Sequence, residues 1–489
     1  MDTPAAPGPP PSGGRASRRR VRKRRRPRGE ARPRWGSVCV LPPAGDARRT
    51  EYRQGLRRIS AALVRAQREI RVLRALHWPD SVAHQFFARG ERELPRVAYA
   101  PLGYDPERKV ADLRVLQEQL DARDPLQTIL RDTAGQYVQV VRMLRARGTP
   151  DLHAVSRELY GHPLEPFAGQ TTTSLDLARH LDRLVGTGSG LPSPARPARR
   201  VFRAAAAARL LQKRMGRAFP GAKVLVEVSS MLTADAAAGS ARIRIKKGRM
   251  FGRDTIDYLV QHEGYVHIAT TLNGRLQPFL PILGKASPRG VRVNEGLAVF
   301  GEWASHTMTL PRVRRLVDRV LAIRMAEEGA DFLQVYRAFR ERGEEPQSAF
   351  DIARRVFRGG VLEGGAPFTK DSSYLSDFLR IFNFARVAAK RRRMDLLDML
   401  FVGKVTIPDL PVISRHLRSG EIRAGRFLPP WVRDKDWLTA HMAISSFLNV
   451  LHLQNTETYY DDLFSRCAEP LPPEEKAGHE ARDTPTHYP

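Results

Sequence analysis

Residues 259–274 contain two histidines and a glutamate of the types that bind and use a metal ion. In the segment LVQHEGYVHIATTLNG, His262, Glu263 and His267 form a His-Glu-x-x-x-His pattern. Neutral imidazole nitrogens are common ligands of Zn²⁺, and a neighbouring carboxylate can accept a proton from an attacking water. The pattern therefore indicates a zinc-dependent hydrolase. The alternative is a pair of unrelated histidines on an ordinary helix.

The spacing of the two histidines requires a change in helix geometry. In a regular α-helix, positions i and i+5 point about 140° apart, so His262 and His267 would not share a face. A π-turn with i→i+5 closure brings such positions together, and these turns are frequent at functional sites. Gly264 lies between the histidines and can relax the backbone. We therefore expect a π-bulge between His262 and His267.

A third metal ligand is expected from a second helix, because catalytic zinc sites use three protein side chains. NEGLAVFGEW, residues 294–303, supplies Glu295 near the predicted helix start and Glu302 on the same face two turns later. We expect Glu295 to bind the metal and Glu302 to accept a hydrogen bond from a ligand imidazole. The alternative for Glu295 is an acidic first-turn residue favoured by the helix dipole.

These side chains must be positioned by helices and a small sheet, so the predicted fold is α+β and mostly helical. The hydrophobic pattern predicts helices near residues 51–76, 111–122, 125–146, 172–186, 203–219, 254–272 and 293–307. Strands are predicted at 223–230 and 241–248. In the second strand, Ile243 and Ile245 lie on one face and basic residues lie on the other.

Composition divides the 489 residues into four predicted regions. A Pro- and Arg-rich tail at 1–50 is expected to be disordered, and a helical region at 51–200 ends in a Gly-, Ser- and Pro-rich linker at 186–200. The catalytic region is predicted at 201–455. A polar, flexible tail is predicted at 456–489.

The basic tail contributes much of the net charge of +30. Residues 15–34 contain 12 Arg or Lys and one acid. Such a block attracts polyanions without sequence specificity, so contact with nucleic acid, an acidic protein tail or an anionic membrane is expected. The alternative is a solubilising extension without a dedicated partner. The chain has no recognisable nucleic-acid-binding motif.

Cysteine content and hydropathy indicate the cellular compartment in which the protein is expected. Cys39 and Cys467 are the only two cysteines, too few for a disulfide framework or a thiolate zinc cluster. No apolar run approaches the roughly 20 residues of a membrane helix, and the N-terminus lacks the apolar stretch of a secretory signal. We therefore expect a cytoplasmic protein without a transmembrane segment.

Several motifs together resemble one peptidase family. HEGYVH, LNGRLQP and NEGLAVFGEW are similar to segments of the microtubule-associated tyrosine carboxypeptidases and their bacterial relatives, which are named for a QEGLA motif. The resemblance extends from about residue 50 to about 455 and includes LYGHP at 159–163, the RIRIKKG strand and RGG…FTKDSSYL at 358–375.

The resemblance implies a zincin-like zinc metallopeptidase core. It implies His262, His267 and Glu295 as zinc ligands and Glu263 as the catalytic base. Eukaryotic members of the family remove the C-terminal tyrosine of α-tubulin. Here Asn294 replaces the usual Gln of the bacterial motif, and Gly-Tyr-Val follows Glu263 where tubulin-acting members have an aliphatic-Gly-Thr type sequence. We expect Asn294 to be tolerated, because the Glu after it is the ligand. Gly-Tyr-Val and the Arg- and Ala-rich composition resemble a bacterial member, whose host would lack tubulin tails, so the tubulin substrate is not carried over.

A carboxypeptidase must bind the free α-carboxylate of a protein or peptide C-terminus, which requires a fixed cation. We expect Arg358 or Lys370 to bind this carboxylate and Tyr374 to donate a hydrogen bond to the tetrahedral oxyanion. The alternative is a surface ion pair between Lys370 and Asp371, with Tyr374 as a core residue.

The strand at 241–248 is expected, by analogy with zincins, to be an edge strand that pairs with an extended substrate. Arg244 and its basic neighbours would then favour acidic residues upstream of the cut. The alternative is a solvated strand face.

Two function classes compete with the enzyme. One is a non-enzymatic regulatory or binding protein with a structural or vestigial metal site, and the other is a polyanion-binding protein that acts through its tail. A structural zinc site fills all four positions with protein ligands and needs no base. The presence of Glu263, without an evident fourth ligand, favours a zinc-dependent metallocarboxypeptidase that releases a C-terminal residue, with aromatic residues as the first candidates.

Overall fold

The computed structural model describes residues 46–185, 201–230, 232, 234–448 and 457. Several predictions from the sequence lie outside these residues. They concern the basic block at 15–34 with most of the predicted tail, the linker at 186–200, both cysteines, and all but one residue of the C-terminal tail. Those predictions remain predictions.

Helices make up most of the described residues, as the sequence predicts. The first group of α-helices is α1 (Asp46–Ala66), α2 (Val72–Ala75), α3 (Asp80–Ala88), α4 (Pro106–Glu118), α5 (Pro125–Arg145), α6 (Pro150–Tyr160), α7 (Ser174–Val185) and α8 (Ala204–Ala218). The second group is α9 (Arg253–Leu259), α10 (Ala269–Arg275), α11 (Pro288–Ala304), α12 (Leu310–Glu327), α13 (Phe332–Glu341), α14 (Pro346–Phe357), α15 (Ser373–Lys390), α16 (Asp395–Met399), α17 (Leu410–Arg418), α18 (Pro430–Arg433) and α19 (Lys435–Leu448).

Shorter helical segments connect some of these helices. Single 3₁₀ turns lie at Gln67–Glu69, Pro281–Gly284, Lys370–Ser372 and Ile407–Asp409, and a π-helical segment, Val260–Ile268, joins α9 to α10. Within the described ranges, no helix combines the length and the apolar character that crossing a bilayer requires.

The helix that carries Glu295 begins earlier than the sequence pattern predicts. Ser287 caps α11 by accepting a hydrogen bond from the Gly290 amide, and Pro288 occupies the first helical position. This Ser-Pro pair is a strong start signal, because the missing proline N–H needs no partner there. The predicted start at 293 is therefore wrong. Glu295 lies in the body of α11, so the alternative that it only complements the helix dipole loses its basis.

Five short strands form two small sheets among the described residues. They are β1 (Val201–Arg203), β2 (Leu225–Ser229), β3 (Ala236–Gly239), β4 (Arg242–Lys246) and β5 (Met250–Gly252). β1 pairs with β5 in antiparallel orientation. The other sheet has the order β2-β4-β3, in which β2 and β4 are parallel and β3 and β4 are antiparallel.

The position of β4 contradicts one expectation from the sequence. Ile243 and Ile245 are buried on one face, as predicted. However, β4 lies between β2 and β3, so its backbone N–H and C=O groups are already paired on both sides. The expectation that this strand offers a free edge to a substrate is wrong.

The main hydrophobic core joins the N-terminal helices to the segment that carries the histidines. Its buried residues come from α1 and α5 as well as from the π-helical segment, α11 and α19. α11 packs against α5, α6, α15 and the π-helical segment. A second aromatic core includes Trp78, Phe86, Phe332 and Phe350. The two elements that carry the metal-ligand candidates are therefore held from several sides.

Candidate metal centre

The His-Glu-x-x-x-His segment adopts the geometry that its spacing demands. α9, the π-helical segment and α10 run without interruption from Arg253 to Arg275, and the π-helical part spans both histidines. The ring centroids of His262 and His267 lie 4.9 Å apart, with the ring planes at 84°. The predicted π-bulge is confirmed. Because a π-turn is wider than an α-helical turn, it brings two imidazoles five residues apart onto one face of the helix.

Local packing supports this unusual helix. A Cβ atom at Gly264 would lie 2.7 Å from Cε of Met215 on α8, so glycine allows the π-helical segment to approach α8 closely. At its other end, the Thr270 hydroxyl donates to the carbonyl of Val266 at 2.7 Å, and the Thr271 hydroxyl donates to that of His267 at 2.8 Å. Threonine side chains thus bond carbonyls at the end of the π-helical segment.

Glu295 on α11 completes a cluster of three potential ligands. Its Oε2 atom lies 3.6 Å from Nε2 of His262 and 3.4 Å from Nε2 of His267. One ligand atom of each residue lies within 4.8 Å of the others. The Oε2 atom is buried and has no hydrogen-bond partner. Two imidazole nitrogens and an unpartnered carboxylate oxygen that converge in this way fit a divalent metal with nitrogen and oxygen ligands.

A second glutamate orients the first histidine. Nδ1 of His262 donates a hydrogen bond to Oε1 of Glu302 at 2.7 Å. Arg312 on α12 donates to both carboxylate oxygens of Glu302, at 2.8 and 2.9 Å. Burial opposes ionisation of Glu302, but the Arg312 charge and these hydrogen bonds outweigh it and lower its pKa to about 2. Nδ1 of His262 is therefore occupied, which leaves Nε2 for the metal.

Glu263 lies beside the cluster and is buried, with only 6% of its surface exposed. Its Oε2 atom has no hydrogen-bond partner. Glu263 is not one of the three clustered ligand candidates. A buried carboxylate oxygen without a partner, next to potential metal ligands, is free to accept a proton from a bound water.

Lys370 and Tyr374 lie on the same side of the cluster. Nζ of Lys370 donates to Oε1 of Glu295 at 3.0 Å and lies 5.1 Å from the centre of the Tyr374 ring. That ring stacks on the His262 ring, with centroids 6.3 Å apart and planes at 25°. Both side chains therefore contact the cluster, and their roles toward a substrate remain predictions.

A buried group of arginines surrounds Asp371, the residue after Lys370. Nε of Arg355 donates to Asp371 at 2.5 Å, while Arg319 and Arg358 approach it within 3.8 and 3.7 Å. Burial opposes the ionisation of Asp371, but these cations hold its pKa well below the usual range. The alternative of a surface ion pair between Lys370 and Asp371 is wrong, because both side chains are buried.

Two of these arginines escaped the sequence analysis. The guanidinium of Arg319 lies 4.4 Å from the centre of the Tyr374 ring. Arg319 belongs to α12, which carries no recognisable motif, whereas Arg355 is three residues before Arg358 on α14. The only sequence signal for Arg355 was its position about one helical turn before Arg358. Lys370 is paired with Glu295, whereas three guanidinium groups face a single aspartate, so the region next to the cluster has excess positive charge.

Arg244 belongs to a different part of the surface. It is 54% exposed and its Nε lies 4.0 Å from Glu227, which Arg242 approaches more closely, at 3.2 Å. These contacts match the alternative of a solvated strand face. Of the strands, β3 makes the more extensive contact with the π-helical segment. Among the described strands, β3 pairs with β4 alone, so its other edge meets no described strand.

Comparison with known proteins gives one family match. The family model described as microtubule-associated tyrosine carboxypeptidase matches residues 84–450, which include every candidate site residue discussed above. A comparison with curated proteins gives no significant match.

Proposed function

We propose, since this chain belongs to the microtubule-associated tyrosine carboxypeptidase family, that it is a zinc-dependent metallocarboxypeptidase. Membership implies a carboxypeptidase-type peptidase that acts on a protein or peptide. The proposed reaction is the release of one residue from a free C-terminus, with aromatic residues as the first candidates. The observation that carries the proposal is the convergence of His262, His267 and Glu295 beside the unpartnered carboxylate of Glu263.

In this proposal, Nε2 of both histidines and Oε2 of Glu295 hold the zinc ion. The ion would supply a Lewis acid that polarises the scissile carbonyl and lowers the pKa of water. The buried ion pair between Glu302 and Arg312 fixes the orientation of the His262 ring.

Glu263 acts as the general base and then as the general acid. Its carboxylate accepts a proton from the water whose oxygen attacks the carbonyl carbon. The same proton passes to the leaving nitrogen as the C–N bond breaks, and the proton left on the new carboxylic acid then passes to the amine, which yields a carboxylate and an ammonium group. Burial of Glu263 supports this role, because a carboxylate without competing hydrogen bonds can face the water directly.

The excess cations bind the α-carboxylate of the substrate. Lys370 and Arg358 are the proposed contacts, and Arg319 and Arg355 supply further positive charge in the same region. Tyr374 donates a hydrogen bond to the oxyanion that forms at the attacked carbonyl. A carboxylate between several guanidinium groups gains charge-assisted hydrogen bonds that an amide cannot make.

The upstream residues of the substrate pair with the free edge of β3. This assignment replaces β4, and it is supported by the contact between β3 and the π-helical segment. Arg244 remains a proposed contact for acidic residues further upstream. The low cysteine content supports a reducing, cytoplasmic location.

The test is the cleavage of matched peptides by the metal-loaded protein, followed by mass spectrometry. Peptides that end in Tyr, Phe, Glu or Ala with a free carboxylate should lose a single residue, and the same peptides with an amidated C-terminus should stay intact. A chelator should stop the reaction, and added Zn²⁺ should restore it. Equal cleavage of amidated peptides would contradict the carboxypeptidase assignment. Metal binding without cleavage of any peptide would favour the regulatory alternative.

A further inference from the structure

A lysine outside the recognised motifs bridges the two elements that carry the proposed ligands. Lys404 lies in the loop between α16 and α17. Its ammonium donates to Oδ1 of Asn294 at 2.8 Å, to Oγ1 of Thr270 at 3.2 Å and to the carbonyl of His267 at 3.4 Å. These three acceptors belong to α11, α10 and the π-helical segment.

The loop holds Lys404 in a fixed position. Its amide donates to the carbonyl of Leu283 at 2.7 Å. Its own carbonyl lies so close to α11 that a Cβ atom at Gly290 would be 3.1 Å away. Because the backbone is anchored on both sides, the ammonium is presented from a rigid support rather than from a mobile surface loop.

The contacts of Lys404 fall beside two proposed ligands, His267 and Glu295, whose side chains also approach each other, with Nε2 of His267 3.4 Å from Oε2 of Glu295. Asn294 precedes Glu295, and the His267 carbonyl belongs to a ligand. The Thr270 hydroxyl oxygen also lies 2.9 Å from Oδ1 of Asn294, so two of the acceptors of Lys404 are in contact with each other. Glu302 orients His262, but no hydrogen bond of the described residues orients the His267 ring.

We propose that Lys404 is a positioning residue, which sets the distance and orientation of His267 relative to Glu295 and thereby the geometry of the metal site. The inference rests on the proposed function for the metal site itself. Lys404 need not touch substrate or metal in this role. It ties the end of the π-helical segment to α11, so that both ligands are held before the metal binds.

The test compares Lys404→Met with Lys285→Met. Lys285 is also a half-buried lysine, but it makes no side-chain hydrogen bond to α10, α11 or the π-helical segment, so its loss controls for removing a lysine. Three measurements are made on each full-length protein: the Zn²⁺ dissociation constant by chelator competition, the visible spectrum of the Co²⁺ form, and the thermal unfolding of the metal-free protein.

For Lys404→Met we expect Zn²⁺ affinity to fall about ten- to a hundredfold, as for other residues that orient metal ligands. The Co²⁺ spectrum should also change in intensity or position. Lys285→Met should leave the Zn²⁺ affinity and the Co²⁺ spectrum unchanged. Wild-type affinity and an unchanged Co²⁺ spectrum in Lys404→Met would overturn the inference, even if its melting temperature fell.

Thr270→Val serves as a second variant in case Lys404→Met does not fold. It removes one acceptor and one donor of the network with little change in volume. A smaller change in the same two metal readouts supports the proposal, and no change overturns it. If the wild-type protein fails to bind Zn²⁺ or Co²⁺ at all, the proposed metal function fails instead, so the two failures are distinguishable.

Discussion

Nδ1 of His262 and Oε1 of Glu302 lie 2.7 Å apart, and both side chains are buried. Arg312 in turn donates to both oxygens of Glu302. The orientation of a proposed metal ligand thus depends on a buried ion pair. Disrupting the pair should therefore affect stability and metal binding in separable ways.

Glu302→Gln should destabilise the protein by about 3–5 kcal/mol, because it leaves the Arg312 guanidinium buried without a counter-charge. Metal affinity should fall about ten- to a hundredfold. The double variant Glu302→Gln/Arg312→Met removes the unpaired charge, so urea unfolding should show recovered stability while chelator competition still shows weak binding. If the double variant recovered both its stability and its metal affinity, Glu302 would have no role in orienting His262.

Glu263→Gln should keep the metal and lose activity. The amide cannot accept the proton, so the rate of peptide cleavage should fall about 10²–10⁴-fold. The metal content by mass spectrometry should equal that of wild type. A variant that has lost its metal as well would make Glu263 a ligand and would remove the basis for its role as base.

Glu295→Gln should lose metal and activity together, because a neutral amide replaces an anionic ligand. It also leaves Lys370 without its 3.0 Å ion-pair partner. Adding excess Zn²⁺ should restore part of the activity of Glu295→Gln but none of that of Glu263→Gln. The opposite pattern would contradict the assigned roles.

The Gly296→Ala substitution should push α11, the helix that carries Glu295, away from α15. A Cβ atom at Gly296 would lie 2.4 Å from the backbone of Asp377 on α15, which cannot move as a side chain can. We expect a cost of about 1–3 kcal/mol in urea unfolding, with reduced metal affinity.

Two other glycines provide the comparison for Gly296→Ala. Gly264→Ala should cost less, since its Cβ would meet the flexible end of Met215. Gly216→Ala in α8 has open space around it and should stabilise slightly. Equal effects at Gly296 and Gly216 would contradict the steric argument.

Asp318 should make stability fall as the pH rises. Burial, with Asp182 and Glu344 nearby, raises its pKa from 3.8 to about 7, although Arg342 opposes this. Between these pH values Asp318 holds a proton in the folded state that it has lost in the unfolded state. The contribution of Asp318 to stability is therefore greatest below about pH 4 and declines as the pH rises through 7. Asp318→Asn removes this dependence.

The variant should therefore gain stability relative to wild type at pH 8 but not at pH 4, by roughly one to a few kcal/mol. Urea midpoints at the two pH values measure the difference. If the stabilities of Asp318→Asn and wild type differed by the same amount at pH 4 and at pH 8, Asp318 would have an ordinary pKa in the folded protein.

The sequence allowed the cluster of His262, His267 and Glu295 to be predicted, because the two histidines are close in sequence and Glu295 lies in a recognisable motif. The spacing of His262 and His267 demanded a π-helix, and the structure has one. Helix boundaries at 125–146 and 172–186 were also close, since Asp-Pro and Ser signals mark the starts. The start of α11 was missed because Ser287 and Pro288 lie within a Pro- and Gly-rich stretch, where the hydrophobic pattern of a helix is absent.

The rest depends on contacts between distant parts of the chain. The order β2-β4-β3 cannot be derived from strand patterns alone, since alternation fixes which residues are buried but not which strand lies at the edge. Arg319 and Lys404 reach the site from elements without a motif. Their positions follow from how the helices pack, which no local pattern encodes.

The π-helical segment also determines how the rest of the chain is attached to the site. In an α-helix each residue adds about 100° of rotation and 1.5 Å of length. Deleting one residue between His262 and His267 would give the four-residue spacing of the common zinc-peptidase motif. Because an i→i+5 turn and an i→i+4 turn each place their end residues on one face, α9 and β5, with its partner β1, would keep nearly the same orientation relative to α10. The extra residue is thus absorbed within one wide turn, so the five-residue spacing and the common four-residue spacing are two ways to present a pair of imidazoles from one helix face.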